Sequence, residues 1–115
     1  MEASAHMDAE CLVLDVAGEV DMYEAPDLFQ FYGEYARRYP QYPVLVNIER
    51  VYYLDSSGIG VLFKMFADSN LRGVRFFVCG AKGMVAALFE LSKMNSILPR
   101  AETVRSAQKT IRSIA

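Results

Sequence analysis

The sequence is poor in the residues from which most catalytic centres are built. His6 is its only histidine, and it lies far from every other chemically interesting position. A serine nucleophile therefore has no general base to call on. Cys11 and Cys79 are the only cysteines, and each sits alone inside a strand-like apolar run. No zinc-ligand spacing exists, and both thiols are expected to be reduced and buried. Long apolar runs are missing as well, because a Lys, Asp, Glu or Gly interrupts each one after a handful of residues. A membrane span needs about 20 residues, so none is expected. The first residues carry Glu2, Asp8 and Glu10 rather than a basic stretch followed by an apolar one, which argues against a secretory signal and for the cytoplasm. Ala5-His6-Met7 has the look of a cloning remnant, with Met7 as the expected native start and residues 1–6 as an addition.

A surplus of basic charge is also lacking. The net charge is -2, which gives no footprint for nucleic acid. The distribution is lopsided, however. Residues 1–55 carry 3 basic and 11 acidic side chains, and residues 56–115 carry 9 basic and 3 acidic. That asymmetry fits an ordinary solvated surface or a charged docking face.

What the chain does have is enough apolar material for one core. Hydrophobic residues make up 53% and charged residues 23% of its 115 positions, as expected of one packed domain spanning 1–115. Cys11 to Ala17 reads as a strand closed by Gly18. Ala25, Leu28, Phe29 and Tyr32 then share one face of a helix predicted over about 21–39, with Pro26 in its first turn. Val44 to Ile48 reads as a strand buried on both faces, followed by a loop through Tyr52 and Tyr53. A second helix starts at Asp55-Ser56-Ser57-Gly58, with Ile59, Leu62, Phe63, Phe66 and Ala67 as its buried stripe and Val61, Lys64, Met65 and Asp68 off that stripe. Val74 to Cys79 is the next strand. A third helix follows Gly83, with Met84, Ala87, Leu88 and Leu91 expected on its inner face. Ser96-Ile97-Leu98 reads as a short edge strand ended by Pro99. The last helix, from about Glu102, carries Val104, Ala107, Ile111 and Ile114.

Such alternation predicts an α/β domain with parallel central strands. Right-handed crossovers bring the loops after those strands to one edge of the sheet, where ligands and partners usually sit. Gly18–Asp21, Tyr52–Gly58 and Gly80–Gly83 are expected to meet there.

Leu54-Asp55-Ser56-Ser57-Gly58-Ile59-Gly60 is the most distinctive segment. Its plain reading is a helix cap, in which Asp and Ser oxygens accept from free backbone N–H groups. Its functional reading adds a phosphoacceptor, since a helix N-terminus accommodates phosphate while the added charge opposes an apolar or acidic partner. Val61 and Met65, if exposed beside it, form a contact patch. Enzyme motifs fail one after another. Leu54 stands where a nucleophile elbow needs glycine, Phe63 where a dinucleotide loop needs its third glycine, and Lys82 lacks the order of a phosphate-binding loop.

Gly18-Glu19-Val20-Asp21, Leu54 to Gly60, Val78-Cys79-Gly80 and the helix bearing Leu88-Phe89 together resemble a STAS domain, and more narrowly a bacterial anti-sigma factor antagonist. The resemblance runs from about Met7 to Ala115. It implies a small mixed β-sheet with about four helices packed mainly on one side. It implies that Ser56 is phosphorylated, that the unmodified chain binds an anti-sigma factor or serine kinase, and that this frees a sigma factor for transcription. The kinase then phosphorylates Ser56 and leaves, and a serine phosphatase restores binding. On this basis Asp21, Asp55, Ser57, Gly58, Ile59, Val61 and Met65 are expected to orient the loop or contact the partner. The chain is substrate and ligand rather than enzyme, with no cofactor, metal, nucleic acid or membrane involved. Two alternatives are a non-switching STAS scaffold in a stress-sensing or lipid-transport complex, and an aspartyl-phosphate receiver with Asp55 as acceptor and Lys82 nearby.

Overall fold

The computed structural model describes residues 1–92 and 96–113. Its elements are β1 (Glu2–Asp8), β2 (Cys11–Val20), α1 (Ala25–Arg38), β3 (Val44–Leu54), α2 (Ser56–Leu71), β4 (Phe76–Cys79), α3 (Gly83–Leu91), β5 (Arg100–Ala101) and α4 (Val104–Ser113). The five strands lie in the order β1-β2-β3-β4-β5. β1 is antiparallel to β2, and every other pair is parallel. The expected mixed sheet is present.

Strand periodicity builds two cores. Leu12, Leu14, Val16, Val44, Val46 and Ile48 point to one face, where α1, α2 and α3 cover them. Cys11, Val13, Leu45, Phe77 and Cys79 point to the other, where α4 covers them with Ala107, flanked by Val104 and Ile111. Three helices thus share one side and one takes the other. Ile114, expected on the last helical stripe, lies outside the described residues.

Burial of the central strands leaves both thiols without water. Burial pushes the Cys79 thiol up to about 12, with Cys11 nearby adding to the effect. Burial also raises Cys11, with the Asp8 carboxylate contributing.

Local chemistry explains the helix ends. Pro26 occupies the first turn of α1, where its missing N–H costs nothing, and Arg37 and Arg38 complement the dipole in the last turn. Thr103 and Ser106 cap α4 reciprocally, Ser106 N donating to Thr103 Oγ1 at 2.9 Å and Thr103 N to Ser106 Oγ at 3.0 Å. α1 and α2 are joined by buried Tyr32. Its hydroxyl donates to Asp68 Oδ2 at 2.5 Å, accepts from Arg72 at 2.8 Å and lies 2.8 Å from Ser69 Oγ. Burial, and after it the hydrogen bond to Asp68, raises the Tyr32 phenol above its ordinary range.

Three elements depart from expectation. No strand was expected before Cys11, yet Glu2–Asp8 forms β1, which pairs with β2 from Glu2↔Ala17 to Asp8↔Cys11. His6 there stands 3.3 Å from Asp15. β3 runs on through Tyr52 and Tyr53 to Leu54, so the expected loop is strand. Ser96-Ile97-Leu98 is not a strand. The edge pairing begins after it, with Val78 N donating to the Pro99 carbonyl and Gly80 N to the Ala101 carbonyl. Pro99 opens this ladder because an edge residue can accept without donating.

Candidate functional site

Val20 and Leu54 are the last paired residues of β2 and β3, so the chain leaves the sheet at adjacent points into Asp21 and Asp55. Each aspartate organises the turn that follows it. Asp21 Oδ1 accepts from Tyr23 N and Glu24 N, both at 3.0 Å, and its carbonyl accepts from Ala25 N at 2.9 Å. Asp55 is extended and caps α2, with Oδ1 accepting from Ser57 N at 2.9 Å and Gly58 N at 3.1 Å. These bonds satisfy donors that a helix N-terminus otherwise leaves open.

Gly58 sets how closely α2 approaches this corner. A Cβ there would overlap the Val20 carbonyl oxygen and come within 2.5 Å of Leu54 Cδ1. Only glycine lets the first turn settle on both strand ends.

Ser56 is the first residue of α2 and is exposed. Among the described residues no group hydrogen-bonds its hydroxyl. A phosphate on that oxygen would sit at the positive end of the helix dipole, where the fold tolerates it. Asp55 precedes Ser56, and Glu19, Asp21, Glu24 and Asp27 follow one another along the chain from the end of β2 into α1. Lys64 is the nearest basic residue along α2, its ammonium 4.4 Å from the Phe29 ring centroid.

The expected site residues divide into two groups. Asp21, Asp55, Ser56, Ser57 and Gly58 meet at the ends of β2 and β3. Ile59, Val61 and Met65 do not form an exposed patch; they are 6%, 4% and 0% exposed. Val61 and Met65 were expected to face solvent, and that expectation is overturned. α2 is apolar on several sides, and its buried residues are Gly58, Ile59, Val61, Leu62, Met65 and Ser69; Ile59 and Leu62 are as expected, while Val61 and Met65 replace Phe63, Phe66 and Ala67 on the inward face.

The third loop also departs from the expected convergence. β4 is short and ends at Cys79 opposite Asn47, while β3 continues to Leu54. Gly80 therefore packs against Asn47 and Glu49, well before the strand end that carries the motif.

From there α3 returns along β3, and its faces are not those predicted. Val85 and Phe89 are buried, whereas Met84 and Leu91 are each 85% exposed and Ala87 faces outward. Met84, Leu88 and Leu91 form, with Tyr52 and Tyr53, an open apolar cleft of about 290 Å³. Sequence reasoning missed this cleft; the signal was a helix apolar on every side beside two adjacent tyrosines. A second cleft, of about 640 Å³, separates α1 from α2 and includes Met22, Phe29, Ser57 and Lys64. Among the described residues no cluster of His, Cys, Asp and Glu is placed to hold a metal ion, and no helix is long and apolar enough to cross a membrane.

Known proteins resemble this chain in sequence and in fold. The chain is 26% identical over 83 residues to an anti-sigma-B factor antagonist of Staphylococcus aureus, covering 72% of this chain and 76% of that protein. Its fold matches the crystal structure of an anti-sigma factor antagonist from Mycobacterium paratuberculosis with a TM-score of 0.84 at 23% identity, over 96% of this chain and 93% of that one. It also matches the phosphorylated form of the Bacillus cell fate determinant SpoIIAA with a TM-score of 0.66 at 16% identity, over 99% and 100% of the two chains. The STAS domain family matches residues 2–107, nearly the whole chain. With a five-stranded mixed sheet, three helices on one face and an Asp-Ser-Ser-Gly turn opening α2, the chain belongs to the STAS-domain family.

Proposed function

We infer that this protein is an anti-sigma factor antagonist whose partner binding is controlled by phosphorylation of Ser56. The observation that carries this reading is an exposed Ser56 hydroxyl at the opening of α2, unengaged among the described residues and held between two capped turns. The relatives named as antagonists support the class of partner, an anti-sigma factor. The existence of a phosphorylated structural neighbour supports the kind of control.

In the unmodified state the corner built by Asp21, Asp55 and Gly58 presents Ser56 to the partner. A serine kinase, the anti-sigma factor itself or another, transfers the γ-phosphoryl group of ATP to Ser56 Oγ. The new P–O bond forms as the bond to ADP breaks, and the serine proton is lost. α2 keeps its cap, so the fold persists while a dianion stands where the partner had excluded water. Desolvating that charge at the strand ends that carry Asp21 and Asp55 disfavours the complex. A serine phosphatase reverses the change. ATP chemistry belongs to the partner, and Asp55 serves as a cap rather than a phosphate acceptor.

The test is phosphotransfer mapped to its residue. Incubation with the cognate kinase and ATP is expected to add one phosphate, located at Ser56 by fragment mass spectrometry, and none to Ser56→Ala. Phosphate on Ser57 or Asp55 would contradict this assignment.

A further inference from the structure

α3 has two apolar faces, and this chain covers only one of them. Val85 and Phe89 are its buried residues. Met84, Ala87, Leu88 and Leu91 fall at i, i+3, i+4 and i+7, the spacing of a helix face that packs against another element. Here that stripe is turned outward. Met84 and Leu91 are each 85% exposed, Ala87 is exposed and Leu88 is half-buried. Tyr52 and Tyr53 flank the stripe across the cleft of about 290 Å³. A contiguous exposed stripe of this kind marks a contact surface.

The charges of α3 indicate what covers it. The helix has no acidic residue in its first turn and no basic residue in its last, so its own side chains complement neither end of its dipole. Lys82 at its start and Glu90 near its end instead carry the same sign as the dipole end beside them. An identical helix laid antiparallel answers both mismatches at once, because its negative end lies beside the positive end of the first and the reverse.

We propose that a second copy of this chain occupies the stripe, with the two α3 helices packed antiparallel about a twofold axis between Ala87 and Leu88. The four stripe positions are symmetric about that point, as a self-complementary contact requires. Met84 of each copy then meets Leu91 of the other, and the small side chain of Ala87 lets the helix axes approach closely at the centre. The helical rise sets Lys82 of one copy about 4–5 Å along the axis from Glu90 of the other, within reach of a lysine side chain. Tyr52 and Tyr53 extend the contact, offering large area with a polar tip at the rim. This pairing does not depend on the function proposed above.

Sedimentation equilibrium of the purified chain, at concentrations up to about 1 mM, tests the pairing. A monomer–dimer equilibrium is expected. Met84→Lys and Leu91→Lys change largely exposed residues, so circular dichroism is expected to show both variants folded, while dimerisation weakens at least tenfold. Leu71→Lys is the control, because Leu71 is 88% exposed at the end of α2, and its dimer is expected to be unchanged. Charge reversal tests the orientation. Lys82→Glu alone and Glu90→Lys alone each bring like charges together twice in the dimer and are expected to weaken it at least threefold, whereas the double variant regains the lost affinity. A chain that stays monomeric throughout would overturn the proposal, and so would a dimer indifferent to Met84→Lys and Leu91→Lys. Equal weakening by Leu71→Lys would mean a general effect of added charge and would overturn it as well. Failure of the double reversal to restore the dimer would contradict the antiparallel arrangement.

Discussion

Val20 and Leu54 face each other at the ends of two parallel strands, and Gly58 rests on both. This contact holds the opening turn of α2 against the sheet and thereby fixes the position of Ser56. Gly58→Ala is expected to destabilise the protein by about 1–3 kcal/mol, because the added methyl overlaps a backbone oxygen that has little room to move. Gly60, two residues on, has open space around its missing side chain. There Gly60→Ala is expected to stabilise the helix by up to about 1 kcal/mol. Urea denaturation of the two variants checks the contrast; equal effects would mean that the close approach is not what glycine provides at position 58.

The β1–β2 hairpin turns through Ala9 and Glu10, both with positive φ, at 50° and 61°. Two-residue hairpins of this kind favour Asn-Gly, and a left-handed conformation costs an ordinary residue about 1–2 kcal/mol. The double change Ala9→Asn and Glu10→Gly is therefore expected to raise the denaturation midpoint. An unchanged or lower midpoint would contradict this account of the turn.

Tyr32 ties α1 to α2 through Asp68, Ser69 and Arg72. Tyr32→Phe keeps the ring but leaves the buried Ser69 hydroxyl without that partner. A loss of about 1–3 kcal/mol is expected in equilibrium unfolding. No loss would mean that packing of the ring alone joins the helices.

Cys79 gives a prediction about alkaline pH. Its folded-state value of about 12 lies above the ordinary 9.0 of an exposed thiol. The unfolded thiol ionises first, so the stability present below 9.0 is lost as pH rises toward about 12. The slope reaches about 1.4 kcal/mol per pH unit. The raised Cys11 and Tyr32 act in the same direction. Cys79→Ala is expected to flatten the decline of unfolding free energy above pH 9.0, and a profile as steep as that of the unsubstituted protein would count against the burial effect.

The interior strands and the presence of all four helices were legible from apolar runs and helical spacing, and the Asp55 cap from the residues that open α2. β1 was not, since Glu2–Asp8 has few strand-forming residues and Ala9-Glu10 carries no turn signature. Glu49 and Arg50 concealed the second half of β3 because that part of the strand is exposed at its charged positions. The inward faces of α2 and α3 were misplaced for a different reason. Each helix is apolar on more than one side, so spacing alone does not decide between Val61 and Phe63, or between Val85 and Met84. Only packing against the neighbouring elements chooses. The same ambiguity hid the cleft beside Ser56.

The central claim concerns one oxygen atom. Phosphoserine introduced during synthesis at position 56 allows the affinity of modified and unmodified chains for the anti-sigma factor to be compared directly by calorimetry. The phosphorylated chain is predicted to bind at least tenfold more weakly, a difference of about 1.4 kcal/mol or more. Equal affinity of the two forms would contradict the account.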